Sequence, residues 1–175
     1  MLVLVVGPSG AGKDTLLNAA RVRLADDANV RFAQREVTRP PTPGGEDHLP
    51  IDAATFAARR DSGAYSLWWE AHGLGYGIAT AITDDLARGI TVVASVSRAV
   101  IAEAAAKFTV RVVEITAPAA VLAARLADRG REDAEDIARR LQRQVPLPDN
   151  IDMVKLMNDG SIADGAEKVI KAITT

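Results

Sequence analysis

A glycine-rich loop that ends in lysine constrains the fold more than any other feature of the chain. The loop spans residues 7–13 and lies between a short apolar run at Leu2–Val6 and a helical pattern at residues 13–24. Its glycines let successive backbone N–H groups turn toward one anion, and the following helix adds the positive end of its dipole. This order is the Walker A pattern of nucleotide-binding proteins, in which the lysine charge acts at the β- and γ-phosphates. The sequence therefore assigns the phosphates of ATP to Gly7, Pro8, Ser9, Gly10, Ala11, Gly12 and Lys13.

The position after Lys13 departs from that pattern. A Walker A loop has Ser or Thr there to bind Mg²⁺, whereas this chain has Asp14 and only then Thr15. Thr15 is a candidate replacement ligand. Asp14 places a carboxylate beside anionic phosphates, which favours a role on the metal or its water shell. The alternative for Asp14 is a solvent-facing residue that is favourable to the helix dipole.

Apolar runs alternate with helical patterns along the rest of the chain. Runs typical of buried strands lie at residues 91–94, 110–115 and 152–157, and helical patterns lie at 79–88 and 118–127. This alternation predicts a three-layer α/β domain with a central parallel sheet. Residues 40–50 hold four prolines and two glycines, which predicts a loop. Residues 125–143 predict two helical pieces joined at Gly130.

Composition narrows the function classes. The 175 residues carry a formal charge of −2, which argues against binding to a nucleic-acid backbone. Cysteine is absent, so disulfides, zinc–thiolate sites and thiol nucleophiles are excluded. We find neither the basic start of a secretory signal nor an apolar stretch of the ~20 residues that a membrane span needs. The expectation is a single soluble, cytoplasmic domain that acts on small molecules, with no nucleic-acid or membrane partner.

The remaining motifs follow the order seen in guanylate kinases, at residues 37–40, 45–48, 70–77 and 125–132. The chain resembles more closely the ribose 1,5-bisphosphate phosphokinases, relatives of guanylate kinase in phosphonate breakdown. Those enzymes form 5-phosphoribosyl 1-diphosphate from ATP. The segments that carry this closer resemblance are residues 7–14, 38–39 with 44–48, 69–77, 97–99, 129–132 and 158–161.

The resemblance implies a guanylate kinase-like P-loop fold that uses ATP and Mg²⁺. It implies an acceptor-binding region at about residues 35–80 and a lid at about 128–136. Phosphoryl transfer depends on alignment and charge neutralisation, so cations are expected to converge on two anionic substrates. Lys13, Asp14 and the lid residues Arg129 and Arg131 are the expected catalytic residues. The expected acceptor-binding residues are Thr38, Arg39, Glu46, His48, Glu70, Tyr76, Ser97, Arg98 and Arg140.

Asn158, Arg125 and His48 each need a separate interpretation. Asn158 is expected near adenine, with a simple turn at residues 158–160 as the alternative. Arg125 lies four residues before Arg129, a spacing that favours a solvated helix face. His48 follows Glu46 and Asp47 in the predicted loop, which favours an open loop position rather than a buried one.

Two other functions stay open on the sequence. A guanylate or other nucleoside monophosphate kinase is the first. Glu70 favours it, because guanylate kinases use a carboxylate there, whereas Thr42 replaces their second phosphate-binding arginine and Ser95 lies where they carry acids. The second is an inactive guanylate kinase-like binding module. Such modules tend to lose the loop lysine and lid arginines, which this chain keeps at Lys13, Arg129 and Arg131.

Overall fold

A computed structural model describes residues 1–40, 47–127 and 151–175 of the chain. Nine strands lie within those residues: β1 (Leu2–Val6), β2 (Val30–Phe32), β3 (Arg35–Val37), β4 (His48–Pro50), β5 (Tyr65–Ala71), β6 (Leu74–Ala79), β7 (Thr91–Ser95), β8 (Val110–Thr116) and β9 (Asp152–Met157). The described helices are α1 (Lys13–Arg23), α2 (Ala53–Asp61), α3 (Ile82–Ala87), α4 (Ile101–Lys107), α5 (Ala119–Ala127) and α6 (Ile162–Thr174).

The main sheet is parallel throughout, in the order β2-β7-β1-β8-β9. Its central strand, β1, is fully buried because apolar clusters cover both faces. Leu2, Leu4 and Val6 point into one cluster, and Val3 and Val5 point into the other. Each such side chain stabilises the fold by roughly 1.5–3 kcal/mol through burial. The sheet is therefore the rigid base from which the loops at its carboxyl edge project.

Helices α1, α5 and α6 cover one face of this sheet through residues such as Leu16, Leu122 and Val169. The other face packs against α4 and a second sheet, which supplies Leu67 and Ile78 to the core. This second sheet has the order β4-β3-β6-β5 and is mixed. Strand β3 pairs in parallel with β4 and antiparallel with β6, and β5 and β6 form an antiparallel hairpin. We call it the acceptor sheet, because it lies within the predicted acceptor-binding region.

The central parallel sheet predicted from the sequence is confirmed, and β1 and β9 have the predicted bounds. The predicted loop at residues 40–50 was wrong at its end, because His48–Pro50 pairs with β3 as a strand. The helix predicted over residues 79–88 begins only at Ile82, since the hairpin strand β6 extends to Ala79. The division of the chain into one domain with a lid stays a prediction. Among the described helices, none is long and apolar enough to cross a membrane.

Candidate nucleotide and acceptor site

The glycine-rich loop connects β1 to α1 and closes around the side chain of Lys13. Lys13 Nζ donates to the carbonyl oxygens of Gly7 at 2.7 Å and Pro8 at 2.9 Å. Gly12 has a φ of 85°, and a Cβ there would lie 2.4 Å from Asn158 Nδ2. At Gly7 a Cβ would lie 1.9 Å from the carbonyl oxygen of Ile115. Both positions therefore require glycine, for close approach and, at Gly12, also for its left-handed backbone.

Asn158 and Arg125 fix the loop from the side of α5 and β9. Buried Asn158 donates through Nδ2 to the Ala11 carbonyl oxygen at 2.8 Å, and its backbone N–H donates to Thr116 O at 2.7 Å. Arg125 NH1 donates to Gly10 O at 3.2 Å. A cavity of about 390 Å³ opens beside them. It is lined by Gly10, Gly12, Thr15, Leu16, Arg125, Asn158, Gly160 and Ile162.

Arg125 is the clearest difference from the sequence interpretation on this side. Its spacing from Arg129 favoured a solvated helix face, whereas the structure places its guanidinium against the phosphate loop. The reason is that α5 packs with Leu122 in the core and directs its last turn toward the loop. Sequence reasoning missed this residue, because an i,i+4 charge pattern does not show which element the helix face meets.

Asp14 and Thr15 leave α1 on different sides and line different cavities. Thr15 lines the large cavity with Asn158, whereas Asp14 lines a small cavity of about 30 Å³ with Ser95. Asp14 Oδ1 lies 3.5 Å from Arg35 NH2. The structure thus separates the two candidate metal residues and brings Asp14, not Thr15, to the end of β7.

Oxygen atoms at the small cavity suit Mg²⁺, which binds carboxylates and other hard donors. Ser95 is 9% exposed, and its Oγ is buried without a hydrogen-bond partner among the described residues. Among the residues that the structure describes, no group of three Asp, Glu, His or Cys side chains could hold a metal ion. One carboxylate is nevertheless the usual protein share of a magnesium site that substrate phosphates complete. Asp14 and Ser95 thus supply oxygen donors of the kind that Mg²⁺ binds, beside the guanidinium of Arg35.

The carboxyl edge of the main sheet also carries Ser97 and Arg98. Ser97 Oγ accepts a hydrogen bond from Ala99 N at 3.3 Å and so caps a short 3₁₀ turn that begins at Arg98. Arg98 is ion-paired with Glu114, which pairs in register with Val6 at the end of β1. Arg98 therefore lies next to the start of the phosphate loop, held by an acid that sequence reasoning missed.

On the acceptor sheet, Thr38 and Arg39 directly follow β3. Thr38 Oγ1 accepts a hydrogen bond from Gly75 N at 2.8 Å, and Thr38 N donates to Gly75 O at 3.0 Å. His48 is 6% exposed and donates through Nε2 to Arg39 O at 3.0 Å. The open loop position expected for His48 was wrong, because β4 carries it into the sheet. It holds the backbone at Arg39.

Tyr76 and Glu70 lie on opposite faces of the hairpin. Tyr76 stacks on Trp69, with ring centroids 5.2 Å apart and planes 1° apart, on the face toward the main sheet. Glu70 lies on the face that packs against α2, where its Oε1 is 3.4 Å from Arg60 NH1. The structure therefore does not bring Glu70 to the face that carries Tyr76. Trp69 is buried and Trp68 is exposed, as expected for neighbours on a strand.

A partly buried polar cluster supports the acceptor sheet from the α2 side. Tyr65 Oη donates to Glu36 Oε2 at 2.7 Å, and Arg59 Nε lies 2.9 Å from the same oxygen. Burial, together with the hydrogen bond to the Glu36 carboxylate, raises the pKa of Tyr65 to about 12. No sequence motif pointed to these three residues.

Several predicted residues lie outside the described part of the chain. They are the acceptor candidates Glu46 and Arg140, the lid candidates Arg129 and Arg131, and Thr42. Their roles, like those of the other predicted site residues, stay predictions.

Comparison with known proteins assigns the family. A Rhizobium etli protein called ribose 1,5-bisphosphate phosphokinase PhnN is 45% identical over 172 residues, which cover 97% of this chain and 87% of that protein. The chain belongs to the ribose 1,5-bisphosphate phosphokinase family. A Brucella melitensis member with the same name is 48% identical over 162 residues, covering 91% of this chain and 84% of that protein. No protein-family model matches the chain.

Two further proteins are similar to the chain, one in sequence and one in structure. A bifunctional ribose 1,5-bisphosphokinase-thymidine phosphorylase of Azorhizobium caulinodans is 45% identical over 175 residues, or 99% of this chain. This chain spans only 25% of that longer protein. The guanylate kinase of Anaplasma phagocytophilum superposes with a TM-score of 0.72 at 17% identity, covering 99% of this chain and 83% of that one. The chain therefore has the guanylate kinase-like fold that the sequence predicted.

Proposed function

We propose that this protein transfers the γ-phosphoryl group of ATP to ribose 1,5-bisphosphate, giving ADP and 5-phosphoribosyl 1-diphosphate. The bond between the γ-phosphorus and the β–γ bridging oxygen breaks, and the γ-phosphorus bonds to an oxygen of the 1-phosphate. The observation that carries the proposal is the phosphate loop around Lys13 in a chain that belongs to this family.

ATP is assigned to the loop at residues 7–13 and to the 390 Å³ cavity beside it. The loop N–H groups and the amino end of α1 attract the phosphates, and Lys13 adds a full charge. The base fits the cavity side, where Asn158 and Arg125 hold the loop. Thr15 lies on this side, and we place it near the nucleotide rather than the metal.

Mg²⁺ is the proposed metal, with Asp14 as its carboxylate ligand and Ser95 as a neighbouring hydroxyl donor. When bound, the ion neutralises phosphate charge and aligns the β- and γ-phosphates. The carboxylate of Asp14 lies on the β7 side of the loop, at the edge of the main sheet where we expect the acceptor to bind.

The acceptor is assigned to the region at about residues 35–80. Arg39 leaves β3 with its backbone held by His48, and Tyr76 lies on the face of the hairpin toward the main sheet. Arg98 follows β7, is ion-paired with Glu114 beside the end of β1, and supplies a second cation from the main sheet. A sugar bisphosphate carries two anionic groups and no base, so a pair of arginine forks suits it. Thr38 and Ser97 act by fixing these backbones.

We assign the lid at about residues 128–136 the role of closing over the two substrates, with Arg129 and Arg131 at the transferring group. Closure excludes water and so prevents ATP hydrolysis. Arg131→Ala is expected to lower kcat far more than it lowers the unfolding temperature. Equal losses of activity and stability would assign Arg131 a structural role instead.

A guanylate kinase activity is the rival function. Its main support in the sequence, Glu70, faces α2 and Arg60 rather than the Tyr76 face.

The direct experiment on the proposed function is phosphorus NMR of a reaction with ATP, Mg²⁺ and ribose 1,5-bisphosphate. The expected result is a new diphosphate signal on the sugar together with ADP, and Lys13→Met is expected to lower the rate by about 100-fold or more. Release of free phosphate without that signal would contradict the proposal.

A test of the metal role compares the wild type with Asp14→Asn and Asp14→Ser. Loss of the carboxylate is expected to raise the Mg²⁺ concentration for half-maximal rate by about tenfold, as removal of a charged ligand does. Serine restores the usual Walker A residue and is expected to recover part of that loss. An unchanged Mg²⁺ dependence in both variants would show that Asp14 does not bind the metal.

A further inference from the structure

Arg35 lies between the two sheets, beside the phosphate loop, and belongs to none of the motifs above. Its side chain is 12% exposed and starts from the first residue of β3. NH1 donates to the carbonyl oxygen of Ser95 at 3.1 Å, and NH2 lies 3.5 Å from Asp14 Oδ1. One guanidinium therefore connects the acceptor sheet to the end of β7 and to the first turn of α1.

The sequence of the loop explains why a cation is needed there. Asp14 directly follows Lys13 in the first turn of α1, and its side chain is 46% exposed, so burial does not neutralise this carboxylate next to the loop. A negative group at that place repels ATP unless another charge offsets it. Guanidinium carries a permanent charge, and the hydrogen bond to the Ser95 carbonyl fixes its position.

We propose that Arg35 is a positioning residue that holds Asp14 on the β7 side of the phosphate loop and offsets its charge toward ATP. It acts through Asp14 and does not touch the reacting atoms. The proposal rests on the proposed function, since it takes the loop to bind ATP. Because Arg35 also begins the strand that leads to Arg39, the same side chain ties the acceptor sheet to the nucleotide site.

The test is a double-mutant cycle on ATP binding, measured by titration calorimetry without the acceptor. The proteins are the wild type, Arg35→Met, Asp14→Asn and the double variant, each titrated with ATP in EDTA and again in Mg²⁺. In EDTA, Arg35→Met is expected to raise the Kd by about tenfold when Asp14 is present and by about twofold or less when it is combined with Asp14→Asn. In Mg²⁺, Arg35→Met alone is expected to raise the Kd by only about threefold, because the metal offsets the charge of the same carboxylate.

Two further variants separate the effect of charge from that of shape. Arg35→Lys keeps the cation and is expected to bring the Kd back to within about threefold of the wild type. Arg35→Gln keeps hydrogen-bond donors without charge and is expected to behave like Arg35→Met. If Arg35→Met does not fold, Arg35→Gln takes its place in the double-mutant cycle.

Arg111 provides a matched control. It is 17% exposed, lies 2.6 Å from Asp152 Oδ2 and donates to Ala172 O at 3.2 Å, which is the same combination of carboxylate and carbonyl. It lies near the amino end of β8, away from the loop. Arg111→Met is expected to lower the unfolding temperature about as much as Arg35→Met and to leave the Kd for ATP unchanged.

Equal losses of ATP affinity with and without the Asp14 carboxylate would overturn the role of Arg35, and so would full affinity in Arg35→Met. Those results would leave the proposed function intact, provided that the wild type binds ATP and phosphorylates the sugar bisphosphate. Failure of the wild type to bind ATP would instead overturn both proposals.

Discussion

At the scale of single residues, Asn158 and Arg125 hold the phosphate loop by donating to the carbonyl oxygens of Ala11 and Gly10. The strand, glycines, lysine and helix of the loop follow one another along the chain, so the loop itself could be predicted from the sequence. What the side chains of Asp14 and Thr15 face depends instead on β7 and α5, which lie far away in the sequence. Nothing in the sequence indicated that Arg125 would contact Gly10.

Substitution of Gly12 tests the close approach of Asn158 to the loop. Gly12→Ala adds a Cβ 2.4 Å from Asn158 Nδ2 and is expected to displace that side chain and raise the KM for ATP by about tenfold or more. Gly63→Ala is the matched control, because Gly63 has a similar φ of 73° but has no atom within 4 Å of such a Cβ. It is expected to lower stability by about 1 kcal/mol through backbone strain alone, with KM unchanged. Similar kinetics in the two variants would contradict the assigned role of Asn158.

Removal of the Arg125 side chain tests the nucleotide cavity. Arg125→Ala is expected to raise the KM for ATP by about fivefold and to leave the KM for the acceptor unchanged, because only the ATP side of the loop loses a contact. Arg88→Ala, which removes an exposed arginine paired with Asp85, is the control and is expected to change neither constant. Steady-state kinetics with each substrate varied in turn give both values. An unchanged KM for ATP in Arg125→Ala would show that Arg125 does not contribute to ATP binding, as expected of a residue on a solvated helix face.

At the scale of elements, the long apolar strands could be predicted, whereas the acceptor sheet could not. Strands β3 and β4 have three residues each, too few to show a period, and β3 pairs with β6 nearly forty residues later. The cluster of Glu36, Tyr65 and Arg59 forms only when β3, β5 and α2 meet. Non-local pairing of this kind leaves no pattern in any one segment.

The Tyr65 hydroxyl gives the acceptor sheet a measurable dependence on pH. The pKa of Tyr65 is about 12 in the folded protein, above its ordinary value of 10.0, so its contribution to stability is complete below pH 10. Between pH 10 and about 12 the unfolded chain releases this proton first, and the contribution is lost. Tyr65→Phe is expected to lower the free energy of unfolding by about 1–3 kcal/mol at neutral pH, because Glu36 loses a buried hydrogen bond.

Urea unfolding of both proteins from pH 8 to 12 measures this effect. The difference in unfolding free energy between the wild type and Tyr65→Phe is expected to be constant up to pH 10 and to fall above it. The other titrating groups are common to both proteins and cancel in the difference. A difference that stays constant to pH 12 would show that Tyr65 titrates normally.

At the scale of the whole molecule, parallel pairing of β7, β1 and β8 brings their carboxyl ends to one edge. The register of Val5 with Ser95 and of Val6 with Glu114 places the groups that follow these strands around the start of the loop. Open parallel sheets bind their ligands at this edge, so the general place of the site followed from the predicted fold. We propose that side chains from the second sheet select the acceptor, and the sequence indicated the acceptor only through family resemblance.

We propose that cations from both sheets bind a bisphosphate that has no base. The rate of ADP release, measured in parallel with ribose 1,5-bisphosphate, with GMP and with no acceptor, tests this proposal. We predict a kcat/KM for the sugar bisphosphate that exceeds the value for GMP by at least about 100-fold, and negligible release without an acceptor. A protein that consumes GMP as readily as the sugar bisphosphate, or that hydrolyses ATP at the same rate without either, would contradict the account.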